Sequence, residues 1–158
     1  MHFFKWAGLC LIALCGLLAG RLFAAYEERK CRQAEGFLAL LRHIRMQIDC
    51  FSLPVGRILA ALDDRVREDC GCPAGSADMA ALLDGTRLLL PEEGRELLLS
   101  FARDLGGSYR EEQLRCCDYY IERLAPLCTG LRAELPKRVR LARVLPAAVS
   151  AALILMLI

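Results

Sequence analysis

The sequence has almost no histidine, two residues in 158, and only His43 lies away from the N-terminus. That is too few for an imidazole-rich metal site. Carboxylates are missing from both ends, because every acidic residue falls between Glu27 and Glu134. No stretch alternates apolar and polar residues in the manner of a half-buried strand, so the reading is all-α. Also missing are a glycine-rich phosphate loop with Lys and Ser or Thr in order, a nucleophile with its base, and any zinc-ribbon or zinc-finger spacing. Asp63–Asp64 and Glu111–Glu112 are adjacent pairs that point about 100° apart on a helix and do not converge. The formal charge of +2 is close to neutral. From 22 to 136 there are 15 basic and 19 acidic residues, a net of −4, where a nucleic-acid binder needs a basic stripe. These absences argue against an enzyme, a cofactor and a nucleic-acid partner.

Apolar residues, by contrast, are concentrated at the two ends. Trp6 to Gly20 is unbroken, Leu22 to Ala25 extends it past Arg21, and Val144 to Ile158 forms a second run. A membrane-crossing helix needs roughly 20 apolar residues. Arg21 and Arg143 could lay their stems along such a span and hold their guanidinium groups at its edge. The expectation is therefore an N-terminal transmembrane helix over 1–25, a helical bundle over 26–140, and a C-terminal transmembrane helix over 141–158. The alternatives are a cleaved signal peptide at the start, with Lys5 before the run and Ala24–Ala25 after it, and a buried core helix at the end. Arg29, Lys30 and Arg32 follow the first run and Lys137, Arg138, Arg140 and Arg143 precede the second, which would put the bundle in the cytoplasm.

Within the bundle, Phe37, Leu38, Leu41, Ile44, Ile48 and Phe51 recur at steps of three and four, as on an amphipathic helix. Pro54 starts a second helix with Val55, Ile58, Leu59, Leu62 and Val66 on one face. Cys70 to Ser76 reads as a loop, followed by a short helix through Met79, Leu82 and Leu83 to Gly85. Pro91, Glu92 and Glu93 open another, whose inner face carries Leu97, Leu98, Phe101, Ala102 and Leu105. Gly106–Gly107 stops it, and Ser108 with Glu111 forms a capping box for the last helix. Leu114, Cys117, Ile121, Leu124, Cys128, Leu131 and Leu135 make a heptad-like seam there, with kinks or a break expected at Pro126 and Pro136. Arg42 and Arg45 flank the apolar face of the first helix and suit a partner's carboxylates; the plainer reading is a solvated edge.

Nine cysteines invite a disulfide framework in a secreted chain, but a cytoplasmic bundle favours thiols. Cys70–Gly71–Cys72 and Cys116–Cys117 are the clusters, and they supply an alternative function, a thiol- or metal-responsive sensor or adaptor.

The stretch F-A-R-D-L-G-G-S-Y-R-E-E-Q-L at Phe101 to Leu114 resembles the stage III sporulation protein AB family of endospore-forming bacteria. Leu105, Gly106, Ser108, Arg110, Glu111 and Gln113 fit that family's leucine–glycine turn and its basic, acidic and glutamine run. F-L-A-L-L-R-H-I-R-M-Q-I-D at Phe37 to Asp49, followed by L-P-V-G-R-I-L from Leu53, is similar to its first two cytoplasmic helices. Tyr109 stands where the family usually has an acid, Pro146 where it tends to have glycine, and Pro126 and Pro136 are additional. The resemblance implies a non-enzymatic scaffold, with a bundle similar to that of the type II secretion system F platform proteins. It would stand in the cell membrane, the outer forespore membrane, within a secretion-like complex between mother cell and forespore. Its partners would be a secretion-type ATPase, membrane components of that complex and other copies of itself. Arg42, Arg45, Tyr109, Arg110, Glu111, Glu112 and Gln113 are the candidate contact residues.

Overall fold

A computed structural model describes residues 2–76, 78–105 and 109–157. Two long helices, α1 (His2–Phe51) and α6 (Arg110–Leu157), bracket four short ones: α2 (Val55–Ala60), α3 (Asp64–Cys70), α4 (Met79–Asp84) and α5 (Glu92–Asp104). Among the described residues there is no strand. The chain divides into two compact units, Lys30–Leu131 and a second made of Met1–Arg29 with Arg132–Ile158, so α1 and α6 each contribute to both.

In the unit Lys30–Leu131, the three-and-four stepping of α1 places Phe37, Leu41, Ile44 and Ile48 in the core. Phe51 departs from that stripe and is 65% exposed. The helix ends there because Ser52 takes a left-handed conformation, φ 50°, with its N–H on the Ile48 carbonyl at 3.1 Å. The expected second helix is two. Asp63 accepts a hydrogen bond from the Arg65 N–H (2.8 Å) and restarts the chain as α3, after α2 has ended at Ala60. Asp78 does the same for α4, accepting from the Ala81 N–H at 2.7 Å. Pro54 and Pro91 stand at the N-caps of α2 and α5. Ile58, Leu59, Leu62, Met79, Leu82, Leu83, Leu98 and Phe101 complete the core with Cys117, Tyr120, Leu124 and Cys128 of α6. Leu114, Ile121 and Leu131 of the expected seam are only partly buried. Gly106, Gly107 and Ser108, and with them the expected turn and capping box, lie outside the described residues.

One buried polar side chain ties this unit together. Gln33, 5% exposed, donates from Nε2 to the carbonyls of Cys70 (2.9 Å) and Arg87 (3.0 Å) and accepts from the Leu89 N–H at 2.7 Å. One turn along α1, a Cβ on Gly36 would lie 3.0 Å from the backbone of Asp69 and Cys70, so the end of α3 rests directly on α1. Tyr120 fixes α5 to α6: its ring meets Phe101 edge-on (5.4 Å between centroids) and its hydroxyl donates to Asp104.

The membrane anchors expected at 1–25 and 141–158 are not found: among the described residues, no helix is long and apolar enough to cross a membrane. Each run has 15 residues, the second with Ser150 inside it, against the roughly 20 that a span requires. The adjoining turns carry Arg21, Glu27 and Glu28 on α1, and Lys137, Arg138, Arg140 and Arg143 on α6. The topology and the cell-membrane location inferred from those spans fall with them. α6 also runs unbroken through Pro126, Pro136 and Pro146. Pro126 and Pro136 are exposed, which lets water reach the carbonyls that these prolines cannot bond.

The second unit is a close helix pair. A Cβ on Gly16 would fall 2.0 Å from Ser150 Oγ and 3.0 Å from the Pro146 carbonyl, and one on Gly20 would fall 3.2 Å from the Ala142 carbonyl. Gly16, Gly20 and Ala24, spaced by four, present the small-residue face that such an approach requires. The Ala142 carbonyl is the one deprived of its helical partner by Pro146, and glycine lets α1 close over it.

Replacing Gln33 by Leu strands two carbonyls and an N–H, and is expected to destabilise the Lys30–Leu131 unit by about 2–4 kcal/mol, read as a lower urea midpoint. An unchanged midpoint would show that Gln33 is dispensable. Gly20→Val is expected to loosen the helix pair, seen as faster hydrogen exchange in residues 132–153 while exchange in residues 34–48 stays the same.

Candidate functional site

Where α1 ends and α6 begins, four charged side chains interlock. Arg45 grips Asp118 with two hydrogen bonds, Nε to Oδ1 at 2.6 Å and Nη2 to Oδ2 at 3.3 Å, and reaches Asp49 at 3.4 Å. Arg110 donates from Nη2 to the Asp49 carbonyl (2.6 Å) and to its Oδ1 (2.7 Å), and from Nε to the Ile48 carbonyl at 3.4 Å. The last carbonyls of a helix have no partners of their own, so Arg110 caps α1 from the first turn of α6. These side chains are about 40–50% exposed, and water screens their pairing; geometry rather than charge energy is what they supply.

The candidate contact residues divide accordingly. Arg45 and Arg110 are engaged by Asp49 and Asp118, two positions that no local sequence pattern singles out. Arg42 is exposed on α1. Tyr109 stands 89% exposed immediately before α6. Glu111 and Glu112 are exposed in its first turn, where a carboxylate faces the positive end of the helix dipole. Gln113 is half-buried, and its N–H, like that of Glu112, returns to the Tyr109 carbonyl.

Three further exposed side chains belong to this end of the unit. Phe51 and Met46 lie on the last turns of α1, and Tyr119 carries the Arg123 guanidinium 5.1 Å above its ring. Spacing alone puts Phe51 on the core face; the signal that places it outside is the Ser52–Leu53–Pro54 break directly after it. The arrangement presents aromatic side chains on a frame fixed by arginine–carboxylate pairs. It offers contact surface. Among the described residues, no group of three or more His, Cys, Asp or Glu could hold a metal ion.

The four clustered cysteines do not form one site. Cys70 lies against Gln33, and Cys117 lies near Arg45. Those two α1 positions are twelve residues apart, about 18 Å along the helix.

Replacing Arg110 by Ala is expected to fray the end of α1, with amide exchange in residues 46–52 rising about five- to tenfold. Arg110→Lys should recover only part of the protection, because one ammonium cannot serve Ile48 and Asp49 together. Equal exchange in all three proteins would refute the capping role.

No curated protein and no solved structure matches the chain. The sequence model of stage III sporulation protein AB matches residues 54–158. The matched part begins at the N-cap of α2 and runs through α6; the Phe37–Asp49 stretch precedes it. With two thirds of its length matched in this way, the chain belongs to the stage III sporulation protein AB family.

Proposed function

We propose that this chain is a non-enzymatic scaffold of a sporulation-specific, secretion-like complex between mother cell and forespore, and that it docks a secretion-type ATPase. Family membership supports the sporulation role. The observation that carries the docking reading is the exposed pair Phe51 and Tyr109, held at one end of the Lys30–Leu131 unit by the Arg110 clasp. Exposed aromatics on a rigid frame are what contact hot spots are made of, since little side-chain freedom is lost on binding. Carboxylates at Glu111 and Glu112 beside them would set orientation and association rate toward a basic patch on the partner.

The other unit fits a scaffold as well. Leu11, Leu14, Leu18, Leu22 and Phe23 of α1 and Leu141, Val144 and Val149 of α6 are exposed, more apolar surface than a protein without partners ordinarily leaves uncovered.

The test is capture of the tagged protein from sporulating cells after mild crosslinking, with partners identified by mass spectrometry. A secretion-type ATPase should be recovered with the unmodified chain, and recovery should fall about tenfold with Phe51→Asp and Tyr109→Ala combined. Equal recovery would move the docking surface elsewhere, and absence of any ATPase would remove the docking role.

A further inference from the structure

We propose that the Cys70–Gly71–Cys72 turn is a thiol-exchange site: Cys72 attacks a small-molecule disulfide, and Cys70 resolves the adduct into an intramolecular disulfide. The inference is independent of the scaffold reading and rests on a different part of the fold.

The geometry begins with the end of α3. Gly71 takes φ 71° as the left-handed cap, its N–H bonds the Glu68 carbonyl, and the Cys72 N–H reaches back to the Arg67 carbonyl at 3.0 Å. This closing turn folds the chain over the helix end and returns Cys72 to the neighbourhood of Cys70, where the two thiols influence one another directly. Their surroundings are unequal. Cys70 is fully buried, and its backbone is pinned by the Gln33 hydrogen bond and by the close approach of Gly36. Cys72 is half-buried and leads into the exposed segment Pro73–Ala74–Gly75. Any movement needed to form the disulfide therefore falls on the Cys72 side.

The same contacts separate the protons. The Cys70 hydrogen bond, followed by Thr86 and the Arg67 charge, lowers the Cys72 thiol to about 7 against the opposing effect of burial. Thr86 has one hydroxyl proton and donates it to the Leu82 carbonyl at 2.6 Å, which leaves Cys70 as the larger influence on Cys72. Cys70 is pushed well above the ordinary thiol range, first by that bond and then by burial. Elsewhere burial raises Cys117 to about 12 and Cys128 to about 11, leaving them protonated near neutral pH. The more accessible sulfur is thus the readier to ionise near neutral pH, and its fully buried neighbour holds its proton more tightly.

The chemistry balances without any group from outside except the disulfide. The Cys72 thiolate bonds to one sulfur of R–S–S–R, that bond breaks, and RS⁻ leaves to take up a proton. Cys70 then loses its proton to water and attacks the Cys72 sulfur, expelling the second RS⁻. Two protein thiols are oxidised, one external disulfide is reduced to two thiols, and the two protons lost by the protein appear on them.

The experiment uses the full chain with oxidised glutathione as the probe, an acid quench and peptide mapping by mass spectrometry. Wild type should accumulate the Cys70–Cys72 disulfide, Cys70→Ser should stop at a glutathionyl adduct on Cys72, and Cys72→Ser should leave Cys70 unmodified. Alkylation of Cys72 in the unmutated protein, which does not depend on the variants folding, should follow pH with a midpoint near 7. A midpoint at or above the ordinary thiol value, an adduct on Cys70, or glutathione confined to exposed Cys15 and Cys50 would overturn the proposal.

Discussion

A single amide holds the Lys30–Leu131 unit in register. Four short helices, none longer than 13 residues, cannot place themselves through their own hydrogen bonds, because short helices are marginal alone. Their apolar faces bring them to α1 without dictating how far along it they settle. Gln33 does that for the end of α3 and the approach to α5, by meeting the last carbonyl of α3 and two backbone groups of the segment before α5. Buried amides without partners are costly, so a shift of one residue would leave three polar groups dry and unsatisfied. The close contact at Gly36 is the steric counterpart of the same specification.

Much of this unit was legible from spacing alone. Phe37, Leu41, Ile44 and Ile48 fall in the core, and Pro54 and Pro91 mark helix starts. The misses have local causes. Phe51 continues the arithmetic of the stripe but is the last residue of α1, directly before the left-handed Ser52, and stands exposed. Val66 continues the stripe of α2, yet Asp63 offers a cap that a continuous helix could not use. Pro126 and Pro136 suggest kinks or a break; both occupy exposed positions on a helix long enough to absorb them.

Fifteen apolar residues beside a flanking arginine read as a span only if the arginine is set aside, and on the described helices that allowance is not met. The spacing of small residues does carry the Gly16–Gly20–Ala24 face, where Gly16 and Gly20 meet Ala142, Pro146 and Ser150. The contact residues were legible only in part as well. Tyr109 stood out as a departure from its family's pattern, whereas the commitments of Arg45 and Arg110 to Asp118 and Asp49 join positions more than sixty residues apart. No local pattern encodes such a pairing.

The cysteines have one more consequence. They are distributed by depth: Cys50 stands in solvent, Cys116 is half covered, and Cys117 and Cys128 are sealed in the core. A chain built in this way carries its own depth gauge. Each buried thiol becomes reactive only when the layer above it opens, so the order in which the sulfurs are labelled traces the sequence of partial openings that precede global unfolding. The protein reports its own breathing without an added probe.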